Sequence, residues 1–190
     1  MKYRVGLEKA FPSKDAILQI EKASQRIRPD LEEMQAWYRK YVKSHTFRLA
    51  FDLEQVREYA LPNAKIIEIG AVPLLLTYAL STLDYDVTGV DIAPDRYGTV
   101  IQSLGLNVKK ADIETGELPV EQGVFDMVIF NEVFEHLRIN LIETHHKILN
   151  LLKPGGILLL STPNLLSLTG FINFHLYKKG PGNLFEEYKN

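Results

Sequence analysis

The chain of 190 residues contains no cysteine. That excludes disulfides, thiolate metal sites and a cysteine nucleophile, and it fits a cytoplasmic setting. Long apolar runs are also missing. Stretches such as VPLLL (72–76) and GILLL (156–160) fall far short of a membrane span. The opening segment, MKYRVGLEKAFPSKD, is charged and has no apolar centre, so no secretion signal is expected from it. Charge of one sign is absent too. With 22 Lys and Arg against 24 Asp and Glu, the net charge is −2, so no global attraction to nucleic acid or anionic membrane is expected, a local basic patch aside, and nucleic acid is not an expected partner.

What is present is the balance of a globular protein, 46% hydrophobic and 24% charged residues, in a chain long enough for one sizeable core and a small appendage. No internal repeat or low-complexity segment is visible. The chain divides near ALPNAK (60–65). Residues 1–61 are expected to form a helical extension and 62–190 an α/β domain. In the extension, Leu31, Met34, Trp37 or Tyr38, and Tyr41 recur at helical spacing. Pro29 and Asp30 offer a start signal for that helix. Phe47, Phe51 and Val56 predict a further helix before Pro62. These helices read as a solvated cover over the core, or as a lid touching a substrate.

After Pro62, β-type runs at 64–69, 85–91, 106–112, 125–130 and 156–162 alternate with helical patterns at 73–82, 95–104 and 132–152, the last with a break near Asn140. Such alternation predicts a doubly wound, mainly parallel sheet buried on both faces. Ligands of these sheets bind beyond the carboxyl ends of the strands, so the residues just after each strand are the informative ones.

The first strand runs into EIGAVP. Gly70 permits a sharp turn or a close approach, and Pro73 suits the first position of a helix. Glu68 is a carboxylate in an apolar strand and needs a partner, either a backbone N–H of the turn or a cationic ligand group. Asp91 ends the second strand, 21 positions beyond Gly70, near the offset at which an acid accepts from ribose hydroxyls. A helix cap is its plainer role. Asp112, after the third strand, is placed to accept from the exocyclic amine of a purine or to cap a loop. After the fourth strand comes NEVFEH. Read as helix, it puts Glu132 on one face with Glu135 and His136, a set suited to proton transfer or to a divalent ion, or to an acid-rich helix start. The fifth strand follows a helix end and turn, LKPGG, and leads into STPN.

Together, IIEIGAV, VTGVDIAP, KKADIET, FDMVIFNEVFEHL and LKPGGILLLSTPN resemble the class I S-adenosylmethionine-dependent methyltransferases, over roughly residues 62–164 and in that family's order. They look like the branch acting on small molecules, quinone-like lipids and sugars. The resemblance implies a Rossmann-like fold, S-adenosylmethionine as cofactor and a small-molecule methyl acceptor. It sets Glu68 and the Gly70–Ala71 backbone against the methionine part, Asp91 on the ribose and Ile92 on adenine. Asp112 and Ile113 frame the adenine, and the Asn131 backbone lies near the methionine end. For methylation at oxygen, His136 or Glu132 is the implied base, with no metal required.

Two departures stand out. The family's turn carries further glycines where this chain has Val72 and Leu74. The family's sheet closes with an antiparallel strand pair, whereas after STPN only 26 residues remain, with Phe171–Tyr177 as one candidate helix or strand. That strand pair is expected to be missing or truncated, leaving a sheet edge that invites a second copy or is covered by the N-terminal helices. Two other functions follow: a cofactor-binding scaffold without turnover, and a metal-assisted RNA ribose methyltransferase built on EVFEH and a later histidine such as His175.

Overall fold

A computed structural model describes residues 11–163 of the chain. Five strands form one parallel sheet: β1 (Lys65–Ile69), β2 (Asp86–Asp91), β3 (Asn107–Lys110), β4 (Phe125–Asn131) and β5 (Leu152–Ser161). Their order is β3-β2-β1-β4-β5. Connections from β1 run outward to β2 and β3 on one side, and the chain then returns to β4 and β5 on the other. The switch point therefore lies between β1 and β4, and ligands of such sheets bind there, beyond the carboxyl ends of the strands. β5 starts earlier than its apolar run suggests. Leu152 pairs with Phe125, and pairing resumes with Ile157 opposite Met127. The intervening KPGG leaves the ladder, with Gly155 at φ 85°. The expected turn thus exists, but inside the strand.

The side-chain period of two divides the core. On one face Ile66, Met127 and Ile129 pack with the N-terminal helices. On the other, Ile67, Ile69, Val128 and Phe130 pack with Ile148 and Leu151. By the same alternation Glu68 and Asn131 point to the face that carries the N-terminal helices.

The helices are α1 (Lys14–Arg26), α2 (Met34–Tyr59), α3 (Leu75–Ser81), α4 (Gly98–Ser103) and α5 (Leu141–Leu151). Ser13 caps α1 by accepting from the Ala16 N–H at 3.2 Å. Ala16, Ile20 and Ala23 bury one stripe of it against α2 and α3. Asn140 caps α5, accepting from the Glu143 N–H at 3.0 Å while its own amide donates to the Glu143 carboxylate at 3.2 Å. That cap is the break expected near Asn140.

Three expectations need correction. The leader holds no separate helix around Phe47, since α2 is one continuous helix of 26 residues. The polar side chains in its middle are satisfied within it: Ser44 Oγ donates to the Lys40 carbonyl at 2.8 Å and Thr46 Oγ1 to the Val42 carbonyl at 2.7 Å. Nor does Asp30 start that helix. Its N–H donates to the Arg96 carbonyl at 2.9 Å and its carboxylate accepts from the Thr99 N–H at 3.1 Å, pinning the α1–α2 loop to the start of α4. Pro73 is not the first residue of α3, which begins at Leu75 after Leu74 at φ 71°. Expectations about His175, Phe171–Tyr177 and a closing strand pair fall outside the described residues. No described helix is long and apolar enough to cross a membrane.

Candidate active site at the carboxyl ends of β1, β2 and β4

The turn after β1 spends its own donors. The Gly70 and Ala71 N–H groups both donate to the Val90 carbonyl, at 2.8 and 3.1 Å. The Val72 N–H donates to Asp91 Oδ2 at 2.9 Å, and the Leu74 N–H to the Ala71 carbonyl at 2.6 Å. Pro73 has none. A dinucleotide pyrophosphate needs the donors that this turn has used. What the turn presents are carbonyls and flanking carboxylates, a surround suited to a cation and to hydroxyl donors. The missing glycines are accommodated unevenly. Val72 keeps negative φ, and the left-handed conformation falls on Leu74, a fully buried side chain. At Gly70, a Cβ would lie 2.3 Å from Val133 Cγ2 on a backbone at φ 79°. Glycine is required there by the close approach of the β4 loop as well as by the turn.

Glu68 is buried at 8% exposure. The partner found is neither a turn N–H nor solvent but the Thr77 hydroxyl from α3. Burial is the main force raising the Glu68 pKa from 4.5 to about 8, with the field of Asp52 adding to it. Asp91 accepts from the Val72 N–H through Oδ2 and from the Ala93 N–H at 2.8 Å through Oδ1. It thus ties the β1 turn to the turn after β2 rather than capping a helix, and each carboxylate oxygen keeps a second lone pair for a ligand hydroxyl. Burial raises its pKa as well, and the backbone donors oppose that. Ile92, next to it, is 59% exposed.

Sequence reasoning missed the contribution of α2. Asp52 is 4% exposed and pairs with Arg48 at 3.2 Å. Arg48 also donates to Tyr41 Oη at 3.2 Å. Burial pushes the Asp52 pKa up to about 6 against the pull of Arg48. The Asn131 amide, at the end of β4, stands close enough to favour ionised Asp52. Its buried nitrogen and oxygen nevertheless lack a partner in hydrogen-bond geometry among the described residues. The available signal was spacing. Asp52 lies in the helical stripe of Leu49, Leu53 and Val56, where a carboxylate must be buried.

Asp112 sits in a tight turn. Its Oδ1 accepts from the Glu114 N–H at 2.9 Å and its Oδ2 from the Thr115 hydroxyl at 2.7 Å. That hydroxyl is the main reason its pKa is lowered. Ile113 beside it is buried with the α5 face of the core.

The helical face expected for Glu132, Glu135 and His136 does not form. The Glu132 N–H extends the sheet by donating to the Ser161 carbonyl at 3.0 Å, and Glu132 adopts φ 57°. Only a three-residue 3₁₀ turn, Phe134–His136, follows. Glu132 Oε1 accepts from Ser161 Oγ at 3.1 Å, Glu135 Oε2 from Thr162 Oγ1 at 3.3 Å, and His136 Nε2 lies 4.0 Å from Glu135 Oε1. Among the described residues, no group of three or more His, Asp or Glu side chains is arranged to hold a metal ion.

A family model described as a methyltransferase domain matches residues 34–181. The chain belongs to that family. Among similar proteins, the ubiquinone biosynthesis O-methyltransferase of Xanthomonas campestris pv. campestris (strain B100) is 35% identical over 111 residues, covering 55% of this chain and 45% of that protein. The protein of the same name from Psychrobacter arcticus is 26% identical over 125 residues, covering 60% and 46%. The chain spans about half the length of these curated relatives. In fold, this methyltransferase domain is similar to a TehB-like SAM-dependent methyltransferase from Corynebacterium glutamicum, with a TM-score of 0.55, 18% identity, and 75% and 72% of the two chains covered. It is also similar to a SAM-dependent methyltransferase from Archaeoglobus fulgidus, with a TM-score of 0.54, 21% identity, and 72% and 64% covered. The Rossmann-like methyltransferase fold expected from the strand ends is the one observed.

Proposed function

We propose that this methyltransferase domain binds S-adenosylmethionine and methylates a small-molecule acceptor at oxygen. The observation that carries the reading is the carboxyl-rich surround at the β1–β4 switch point. There the N–H groups of the β1 turn are spent, and Glu68, Asp91 and Asp52 supply carboxylates around the unmatched Asn131 amide. A ligand with an ammonium, a sulfonium and ribose hydroxyls fits such a surround. A pyrophosphate does not.

In this reading Asp91 holds the ribose hydroxyls, with Ile92 over the base. Glu68 and the Gly70–Ala71 carbonyls face the ammonium, and Asn131 lies at the methionine end. Arg48 of α2, already turned toward Tyr41 and Asp52, is the cation available to a methionine carboxylate. Asp112 and Ile113 frame the adenine. Bound there, S-adenosylmethionine supplies an electrophilic methyl group on its sulfonium. The protein contributes alignment of the acceptor oxygen and exclusion of water. His136 and Glu132, on the loop after β4, are the groups that take the acceptor proton. Oxygen as the target draws support from the similar proteins, which are named as ubiquinone biosynthesis O-methyltransferases.

Calorimetric titration with S-adenosylmethionine and S-adenosylhomocysteine, beside Asp91→Ala, tests the reading. Binding in the micromolar range that Asp91→Ala loses supports it. No binding by folded protein overturns it. Binding without transfer to a panel of phenolic and hydroxylated acceptors favours the scaffold alternative.

A further inference from the structure

Lys147 stands on α5 and has no part above in ligand binding or proton transfer. Its ammonium is partly buried and meets three backbone carbonyls of one loop: Ile113 at 3.4 Å, Glu114 at 3.2 Å and Gly116 at 3.2 Å. An ammonium has three protons and no acceptor, so the three carbonyls match it in number. The same loop is tied at a second point. Glu114 Oε1 accepts from the Arg138 N–H at 2.8 Å and the Ile139 N–H at 2.7 Å, just ahead of the Asn140 cap. The loop after β3 is therefore clasped to α5 and to its entry segment by two ionised side chains that use backbone partners.

We infer that Lys147 is a positioning residue for purine recognition, orienting the 112–116 loop so that the Asp112 carboxylate meets the exocyclic amine of the cofactor's base. The inference rests on the cofactor reading above and extends it to a residue that contacts neither cofactor nor acceptor. Holding the carbonyls of residues 113, 114 and 116 fixes the peptide planes on the carboxyl side of Asp112. The Asp112 side chain is bound into the same turn through the Glu114 N–H and the Thr115 hydroxyl. The Lys147 charge also favours ionised Asp112, which an amine donor requires. A side chain without donors at 147 leaves three carbonyls without their partner and lets the turn rotate.

The test compares S-adenosylhomocysteine with S-inosylhomocysteine, in which a carbonyl oxygen replaces the amine, by calorimetric titration of four proteins: wild type, Lys147→Met, Lys147→Gln and Asp91→Ala. Wild type is expected to prefer the adenine ligand. Lys147→Met is expected to lose about tenfold or more in affinity for it, while the preference over the inosine ligand collapses toward one. Lys147→Gln, which keeps an N–H donor, falls between and reads the same ratio if Lys147→Met does not fold. An unchanged ratio overturns the inference, including the case in which both affinities fall together, because a merely structural role weakens both ligands alike. If wild type binds neither ligand, the cofactor reading fails and takes this inference with it. Binding by wild type that Asp91→Ala loses, with the ratio intact in the Lys147 variants, sinks the Lys147 role alone.

Discussion

A carboxyl held near pKa 8 inside a strand is a proton store at the point where a cationic ligand is proposed to sit. The Glu68 pKa rises from 4.5 in the unfolded chain to about 8 in the folded one. The stability tied to its protonated form is therefore fully present below about pH 4.5 and lost as pH rises through about 8. A ligand ammonium beside Glu68 favours the ionised form. Binding near pH 7 is thus expected to release a proton, and affinity to rise with pH until about 8. Titrations in buffers of different ionisation enthalpy measure that proton, and Glu68→Gln should release none. Proton uptake, or a slope that survives in Glu68→Gln, would sink the assignment. Glu132 makes a second residue-scale case. A non-glycine at φ 57° at the end of β4 costs about 1–2 kcal/mol. Glu132→Gly is expected to keep or raise the melting temperature while methyl transfer falls, and unchanged turnover would remove Glu132 from the proton path. Glu68 and Asp91 were legible because they lie in, or close, an apolar run of strand length. The geometry of Glu132 was not, because its N–H partner, Ser161, lies 29 positions away and local spacing cannot register it.

Among the elements, α2 departs furthest from expectation. Its apolar positions predicted helix correctly, but its continuity was hidden. Its middle carries Ser44 and Thr46, which bond back to carbonyls of their own helix. Leu49, Ala50, Leu53 and Val56 are buried on the sheet side, and Tyr38 packs edge-on to Tyr97 with ring centroids 6.4 Å apart. A helix with its C-terminal half so buried is expected to stay docked rather than swing as a lid. The amides of Leu49–Val56 are expected to exchange with solvent as slowly as those of β1, with or without S-adenosylhomocysteine. Fast exchange that ligand suppresses would favour a lid. Leu53→Ala, at a fully buried position, should cost about 2–5 kcal/mol in denaturant unfolding.

On the scale of the whole molecule, the leader and the sheet share one core. Ala16, Ile20, Leu53 and Val56 lie in the same buried cluster as Ile66, Leu75, Leu80 and Met127. A polar tie crosses the same boundary, Gln19 donating to the Ala79 carbonyl at 3.3 Å. Others bind α1 to α2 within the leader: the Ser13 N–H donates to Glu54 at 2.9 Å, and Arg57 pairs with Asp15 at 3.0 Å. Thermal unfolding is accordingly expected as one cooperative transition, with S-adenosylhomocysteine at 100 times its dissociation constant adding about 2.7 kcal/mol. Two separated transitions would show that the leader folds by itself. The alternation of strands and helices was legible in the sequence because parallel strands buried on both faces read as apolar runs. The docking of α1 and α2 was not, since a helix stripe announces that it is buried but not against what.

The continuity of α2 bears on which length changes this chain tolerates. Each residue added inside a helix turns everything beyond it by about 100°. One residue inserted between Tyr41 and Arg48 would swing Tyr41 and Tyr38 out of phase with Arg48, Asp52 and the buried stripe, whatever its chemical type. The exposed segment at 121–123, between β3 and β4, has no such phase to keep. Natural and engineered variants of this domain should therefore accumulate insertions there, while the spacing from Tyr38 to Val56 stays fixed even where the residues in between do not.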